Sequence, residues 1–148
     1  MLQDNHSKVI GYLLWIFGFT GAHRFYYGKP VTGTLWLFTF GLLGIGWLID
    51  VFLIPGMDAA AERRYKDGPF NYSVAWILLT FLGVFGAQRF YLGKWGTGFL
   101  CLLVSGLCAM SVWFVPFVLL LLPIVLVLWI YDFWTLNEQV DTLNRGYV

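Results

Sequence analysis

Four uncharged apolar stretches, Val9 to Ala22, Val31 to Ile49, Phe70 to Ala87 and Trp95 to Tyr131, fill most of the chain, and only short charged or glycine-bearing breaks separate them. Runs of this kind suit lipid, where helices satisfy every backbone polar group within the segment itself. Apolar residues make up 59% of the 148, aromatic residues 20% and charged residues 11%, more apolar surface than a soluble chain of this size could place in its core. The expected fold class is an all-α integral membrane protein. The net charge of +1 lacks the basic excess of a nucleic-acid binder, so none is expected as a partner.

The first stretch is short for a hydrocarbon core of about 30 Å, which takes about 20 helical residues, and flanking residues must complete it at the interfaces. The fourth is too long: a single straight helix over Trp95 to Tyr131 would reach about 55 Å at 1.5 Å per residue. Pro116 and Pro123 are its expected breakers. Two tandem transmembrane helical hairpins with four crossings are the expected architecture, becoming five if Pro116 marks a full turn.

The chain also repeats itself. Gly-Ala-His-Arg-Phe-Tyr-Tyr-Gly-Lys from Gly21 to Lys29 matches Gly-Ala-Gln-Arg-Phe-Tyr-Leu-Gly-Lys from Gly86 to Lys94, with Gly18 matching Gly83 and Thr32-Gly33 matching Thr97-Gly98 in register. Trp47-Leu-Ile-Asp50 pairs with Trp129-Ile-Tyr-Asp132, though only across an apolar insertion after Cys108. The unit is therefore a helix, a basic aromatic turn, a second helix and an aspartate, with one copy over residues 1–66 and the other over 67–148. A short first helix, an Arg-Phe turn followed by Tyr-x-Gly, and a Trp-x-x-Asp ending resemble the two-transmembrane-helix (TM-two) domain family, here in tandem. His23 and Gln88 stand where family members often carry Asp. The resemblance implies a membrane protein and brings no assigned chemistry.

On the residues alone, Arg24 and Arg89 are expected to anchor the turn at phosphate headgroups or helix carbonyls, with Phe25, Tyr26, Phe90 and Tyr91 in the interfacial belt. Gly28 and Gly93 let the chain reverse, and Lys29 and Lys94 complete the turn motif. Gly18 with Ala22, and Gly83 with Ala87, form a small-xxx-small pair on the first helix of each hairpin, a candidate packing surface between helices. His23 has Gln88 as its counterpart, so a proton-transfer or metal role would exist in one copy only. Cys101 and Cys108 would lie about 10 Å apart along a helix and cannot form a disulfide.

Asp50 and Asp132 are acids within apolar runs, the default place to look for function. Measured along one continuous helix from Gly33, Asp50 falls about 25 Å away, near the membrane face opposite Arg24, with Lys8, Arg63 and Arg64 as its nearest expected partners. On that arrangement Lys8, Arg63, Arg64 and Lys66 share one side, whereas Arg24, Lys29, Arg89 and Lys94 share the other. The Arg63-Arg64-Tyr65-Lys66 cluster places the N-terminus inside. Asp58 is expected to cap a short surface helix over Ala59 to Tyr65.

No Ser-His-acid set, metal-ligand spacing or phosphate-binding loop is present, so neither an enzyme nor a cofactor is expected. The expected function is that of a non-enzymatic, multi-pass cell-membrane module that contacts lipid, a second copy or another membrane protein. The alternative is a small channel or transporter using Asp50 and Asp132.

Overall fold

The computed structural model describes residues 6–17, 21–110 and 115–146, leaving aside the side chains of 111–119. Among the described residues the regular structure is all helical, in eight helices and one 3-10 turn. These are α1 (Lys8–Ile16), α2 (Ala22–Tyr26), α3 (Pro30–Leu43), α4 (Ile45–Arg64), α5 (Tyr72–Leu82), the 3-10 turn Gly83–Phe85, α6 (Ala87–Tyr91), α7 (Trp95–Met110) and α8 (Val115–Gly146). One of them, over Leu120–Gly146, is long and apolar enough to cross a bilayer, while Pro30–Leu43, Tyr72–Phe85 and Trp95–Met110 are apolar but shorter. The four spans expected from the apolar stretches are thus not each matched by a helix of crossing length.

Contacts divide the chain into two compact units, Met1–Ser73 with Asn137–Val148, and Val74–Leu136. These do not coincide with the sequence repeat, because polar side chains at the end of α8 fold onto the first unit. Asn137 donates to the carbonyls of Phe25 and Tyr26 at 3.1 and 2.8 Å. Asp141 accepts the Lys66 amide at 2.9 Å, and Asn144 both accepts the Phe70 amide and donates to the Phe70 carbonyl, each at 3.0 Å. Buried backbone groups that no helix satisfies find their partners here, which ties the tail to the connector.

In the first unit, α1 lies antiparallel to α4. Lys8 stands 3.8 Å from Asp58, the Tyr12 hydroxyl donates to the Val51 carbonyl at 3.4 Å, and Trp15 stacks on Trp47 with ring centroids 4.4 Å apart. The two indoles also exchange hydrogen bonds, each N–H donating to the other residue's carbonyl at 2.8 and 2.9 Å. After α1 the chain doubles back, so that the Tyr26 hydroxyl accepts the Ser7 amide at 2.6 Å and the Gly28 carbonyl accepts Arg64 at 3.2 Å. The start of α1, the turn after α2 and the end of α4 therefore gather at one end of this unit. The expectation that Lys29 and Arg64 lie on opposite sides is overturned.

The reason is a second reversal inside the segment taken as one helix. Phe40, Gly41, Leu42, Leu43 and Gly44 all have left-handed backbone, with φ of 50, 67, 52, 56 and 84°. Glycine adopts this region freely, whereas each non-glycine residue there costs about 1–2 kcal/mol, so packing of α3 on α4 must hold the turn. Gly46 sits tightly under the Trp36 ring just beyond it. The helix α4 then runs through Pro55 to Arg64 without a break. Asp58 is thus a buried residue within α4 rather than the cap of a separate helix.

The second unit follows the same plan. Trp76 meets Phe133 edge-on at 5.4 Å, Gly83 lies against the Trp129 indole, and the Ser105 hydroxyl donates to the Val84 carbonyl. Two helices are described within the long fourth stretch, α7 as far as Met110 and α8 from Val115. Pro116 is the second residue of α8, where its missing N–H is tolerated, and α8 continues through Pro123 without ending.

Candidate functional site: two buried arginine–aspartate pairs

Reversal of α3 into α4 carries Asp50 back to the turn it was expected to leave. Asp50 is fully buried and receives two bonds from one guanidinium: Arg24 Nε donates to Oδ2 at 2.8 Å, and Arg24 Nη2 contacts Oδ1. His23 Nε2 adds a third bond to Oδ2 at 2.7 Å. The second unit builds the same group, with Arg89 Nε on Asp132 Oδ2 and Nη2 on Oδ1, both at 2.8 Å, and Gln88 Nε2 on Oδ2 at 2.7 Å. Asp50 is thus bound to Arg24 and His23, not to Lys8, Arg63 or Arg64; Lys8 goes to Asp58 and Arg64 to Glu138.

A forked guanidinium–carboxylate contact is the strongest arrangement open to these groups, since both bonds are charge-assisted and their planes match. Burial makes it conditional. Two charges leave water at a cost of several kcal/mol each, and only full pairing offsets that. The third donor, His23 or Gln88, occupies a further lone pair of the same oxygen, so the two residues that looked unrelated in sequence perform one task. Each keeps one buried polar atom without a hydrogen-bond partner, His23 Nδ1 and Gln88 Oε1.

The copies differ beside the arginine. The Arg24 guanidinium lies 3.6 Å from the Trp36 ring centroid, a cation–π contact in a desolvated place. Cys101 holds the corresponding position, three residues after the matched glycine, so Arg89 lacks that cover. A cavity of about 10 Å³, lined by Cys101, Val104, Trp129 and Asp132 among others, adjoins the carboxylate of this second pair.

The other turn residues are structural as well. Phe25, Tyr26 and Tyr27 are buried rather than in an interfacial belt, and only Phe90 and Tyr91 in the second turn are half-exposed. Gly33 and Gly98 accept the rings of Phe25 and Phe90, where an added Cβ would stand 2.7 and 2.9 Å from ring carbons. Gly28 and Gly93 have left-handed backbone as the turn requires, and Lys29 and Lys94 are exposed. Ala22 is buried within its own unit, Gly83 is taken up by Trp129 and Ala87 is half-buried; Gly18 lies outside the described residues.

One residue without any sequence signal completes the polar end of the first unit. His6 is buried among four tyrosines, with ring centroids 4.9 Å from Tyr26, 6.2 Å from Tyr27, 5.5 Å from Tyr65 and 4.7 Å from Tyr72. Burial pushes its pKa down to about 4, against weaker opposing effects of the Tyr26 backbone and Asn137. Its two nitrogens make no hydrogen bond of ordinary geometry.

With the turn, the Arg–Asp closure and its duplication in place, the family profile for the TM2 domain matches residues 4–52 and again 69–134. The chain belongs to the TM2 domain family. One TM2 domain-containing protein of Dictyostelium discoideum is 56% identical over 66 residues, which are 44% of this chain and 43% of that protein. Two others from the same organism are 44% identical over 57 residues and 47% identical over 68, covering 42% and 40% of their lengths. The alignments thus span under half of each relative. No solved structure matches. Family membership makes this a membrane protein and places both Arg–Asp pairs within the matched segments.

Proposed function

We propose that this chain is a non-enzymatic, multi-pass membrane module in which each TM2 unit is a scaffold locked by its buried arginine–aspartate pair and contacts lipid or other membrane proteins through its outer apolar faces. The observation behind this reading is that both intramembrane acids are fully committed inside their units. A carboxylate holding a forked guanidinium and a third donor has three of its roughly four lone-pair sites occupied and its charge matched by the guanidinium, which disfavours both protonation and contact with a permeating ion. That removes the motive for a channel or transporter built on Asp50 and Asp132. What remains available is surface: Phe99, Leu103 and Leu107 on α7, and Leu120, Leu126 and Val127 on α8, are exposed. In this reading α7 and α8 form the crossing hairpin of the second unit and the cell membrane is the site of action.

Photocrosslinking from Phe99 or Leu103 in intact cells, followed by mass spectrometry, tests the contact surface. A discrete protein adduct, or a dimer of the chain, is expected. Lipid adducts alone, together with ion flux through reconstituted protein that disappears in Asp50→Ala/Asp132→Ala, would replace this reading with transport.

A further inference from the structure

We propose that the first unit enters the bilayer from one side and turns back within it, so that it is a wedge in one leaflet rather than a pair of crossing helices. This rests on the membrane reading and goes beyond it. Three strands of geometry point the same way. First, the chain meets itself at one end: Ser7 bonds to Tyr26, Gly28 to Arg64, and Lys8 stands near Asp58. A turn on the far face of a bilayer could make none of these contacts, since the hydrocarbon alone is about 30 Å thick.

Second, the arms free of exposed charge are too short to cross: α4 has 20 residues, but only Ile45 to Met57 precede its charged end at Asp58, a rise of about 18 Å. From Pro30 to the start of the left-handed turn at Phe40, α3 rises about 15 Å at 1.5 Å per residue, half the hydrocarbon thickness. The nine residues of α1 reach no further.

Third, charge is segregated along the unit. Lys8, Lys29, Arg63, Arg64 and Lys66 are exposed and cluster at the shared end. From Pro30 to Met57 the sole ionisable residue is Asp50, which is buried against Arg24. The opposite end consists of exposed Ile16, Phe17, Phe38, Phe40, Leu43 and Ile45. An apolar tip under a basic rim matches one leaflet: acyl chains around the tip, headgroups around the lysines and arginines. At the left-handed turn the Leu42 amide donates to the Thr39 hydroxyl at 3.1 Å, the Gly44 amide to the Phe40 carbonyl at 3.2 Å and the Leu48 amide to the Gly44 carbonyl at 3.1 Å, the kind of internal bonding that an apolar surrounding demands. Arg145 is exposed as well and reaches the same end through Asp141, which accepts the Lys66 amide; with the exposed cations on one face, the positive-inside rule assigns that face to the cytoplasm.

The native lysines provide the test without mutation. Sealed membrane vesicles of both orientations are treated with a membrane-impermeant amine reagent, and modification of Lys8, Lys29 and Lys66 is read by mass spectrometry. All three are expected to label in inside-out vesicles and all three to lose labelling in right-side-out ones. Labelling of Lys29 in the orientation opposite to Lys66 would overturn the wedge and restore a crossing hairpin, while leaving the membrane reading intact; release of the chain by alkaline carbonate would instead remove the membrane reading itself. A Leu43→Cys variant provides an independent check. Its thiol should resist an impermeant maleimide from both faces, and reaction from the face opposite Lys66 would also overturn the proposal.

Discussion

Neutralising Asp50 should be among the most damaging single changes in the first unit. In Asp50→Asn the shape is kept, but Arg24 stays buried under Trp36 with its charge uncompensated. Removing one partner of a buried pair typically costs about 3–5 kcal/mol, against about 0–1 kcal/mol for an exposed pair such as Arg64–Glu138. Replacing both partners by apolar residues, Arg24→Met with Asp50→Leu, leaves no charge behind and should recover at least half of the loss. The assay is thermal unfolding in detergent micelles followed by tryptophan fluorescence, run as a double-mutant cycle with Arg64→Ala as the exposed control. The second unit supplies a replicate, since Asp132→Asn strands Arg89 in the same way. The reasoning fails if Asp50→Asn is no more destabilising than Arg64→Ala, or if the double variant is as unstable as the sum of its singles.

Further expectations rest on separate contacts. His6, neutral when folded, has its pKa lowered from 6.5 to about 4, so the unfolded chain takes up a proton first as pH falls; stability is full above about pH 6.5 and declines down to about pH 4, by roughly 3 kcal/mol. Unfolding measured across that window should flatten in His6→Phe, and an unchanged slope would show that another group is responsible. Gly98→Leu should destabilise the second unit by forcing a side chain into the Phe90 ring, and Gly98→Leu with Phe90→Ala should recover part of the loss, both read by the same melting assay. Asn144→Ala should cost about 1–3 kcal/mol by leaving the Phe70 amide and carbonyl unpaired, and should raise proteolysis at the Lys66–Pro69 connector; unchanged cleavage there would count against the tail as its clamp.

How far the sequence could lead is clearest at Asp50. Its helical class, the duplicated turn and the register linking Gly33, Trp47 and Asp50 to Gly98, Trp129 and Asp132 follow from apolar runs and matched residues. The pairing of Asp50 with Arg24 does not, because distance along one continuous helix separates them, and Gly41 and Gly44, where the chain reverses, are a residue type common in unbroken membrane helices as well. A clue was present. About twice as many residues separate Gly98 from Asp132 as separate Gly33 from Asp50, yet the Trp-x-x-Asp ending is kept; lengthening a straight helix would carry the acid away, whereas lengthening both arms of a hairpin returns it to the same arginine. His23 and Gln88 were also legible in principle, as two hydrogen-bond donors at one repeat position. His6 was not, since nothing local distinguishes a histidine that tertiary contacts bury among tyrosines from one on a free terminus.

The account depends above all on the turn arginine meeting the aspartate inside each unit. The most direct measurement is magic-angle-spinning NMR of the protein in lipid bilayers, recoupling arginine side-chain nitrogen to aspartate carboxyl carbon and taking the difference against Asp50→Asn. With Arg24 Nε 2.8 Å from Asp50 Oδ2, the wild-type spectrum should contain a one-hop nitrogen–carbon contact that the variant loses, and Asp132→Asn should remove a second. Spectra in which neither substitution removes a contact would contradict it, and would return the aspartates to the far end of straight helices.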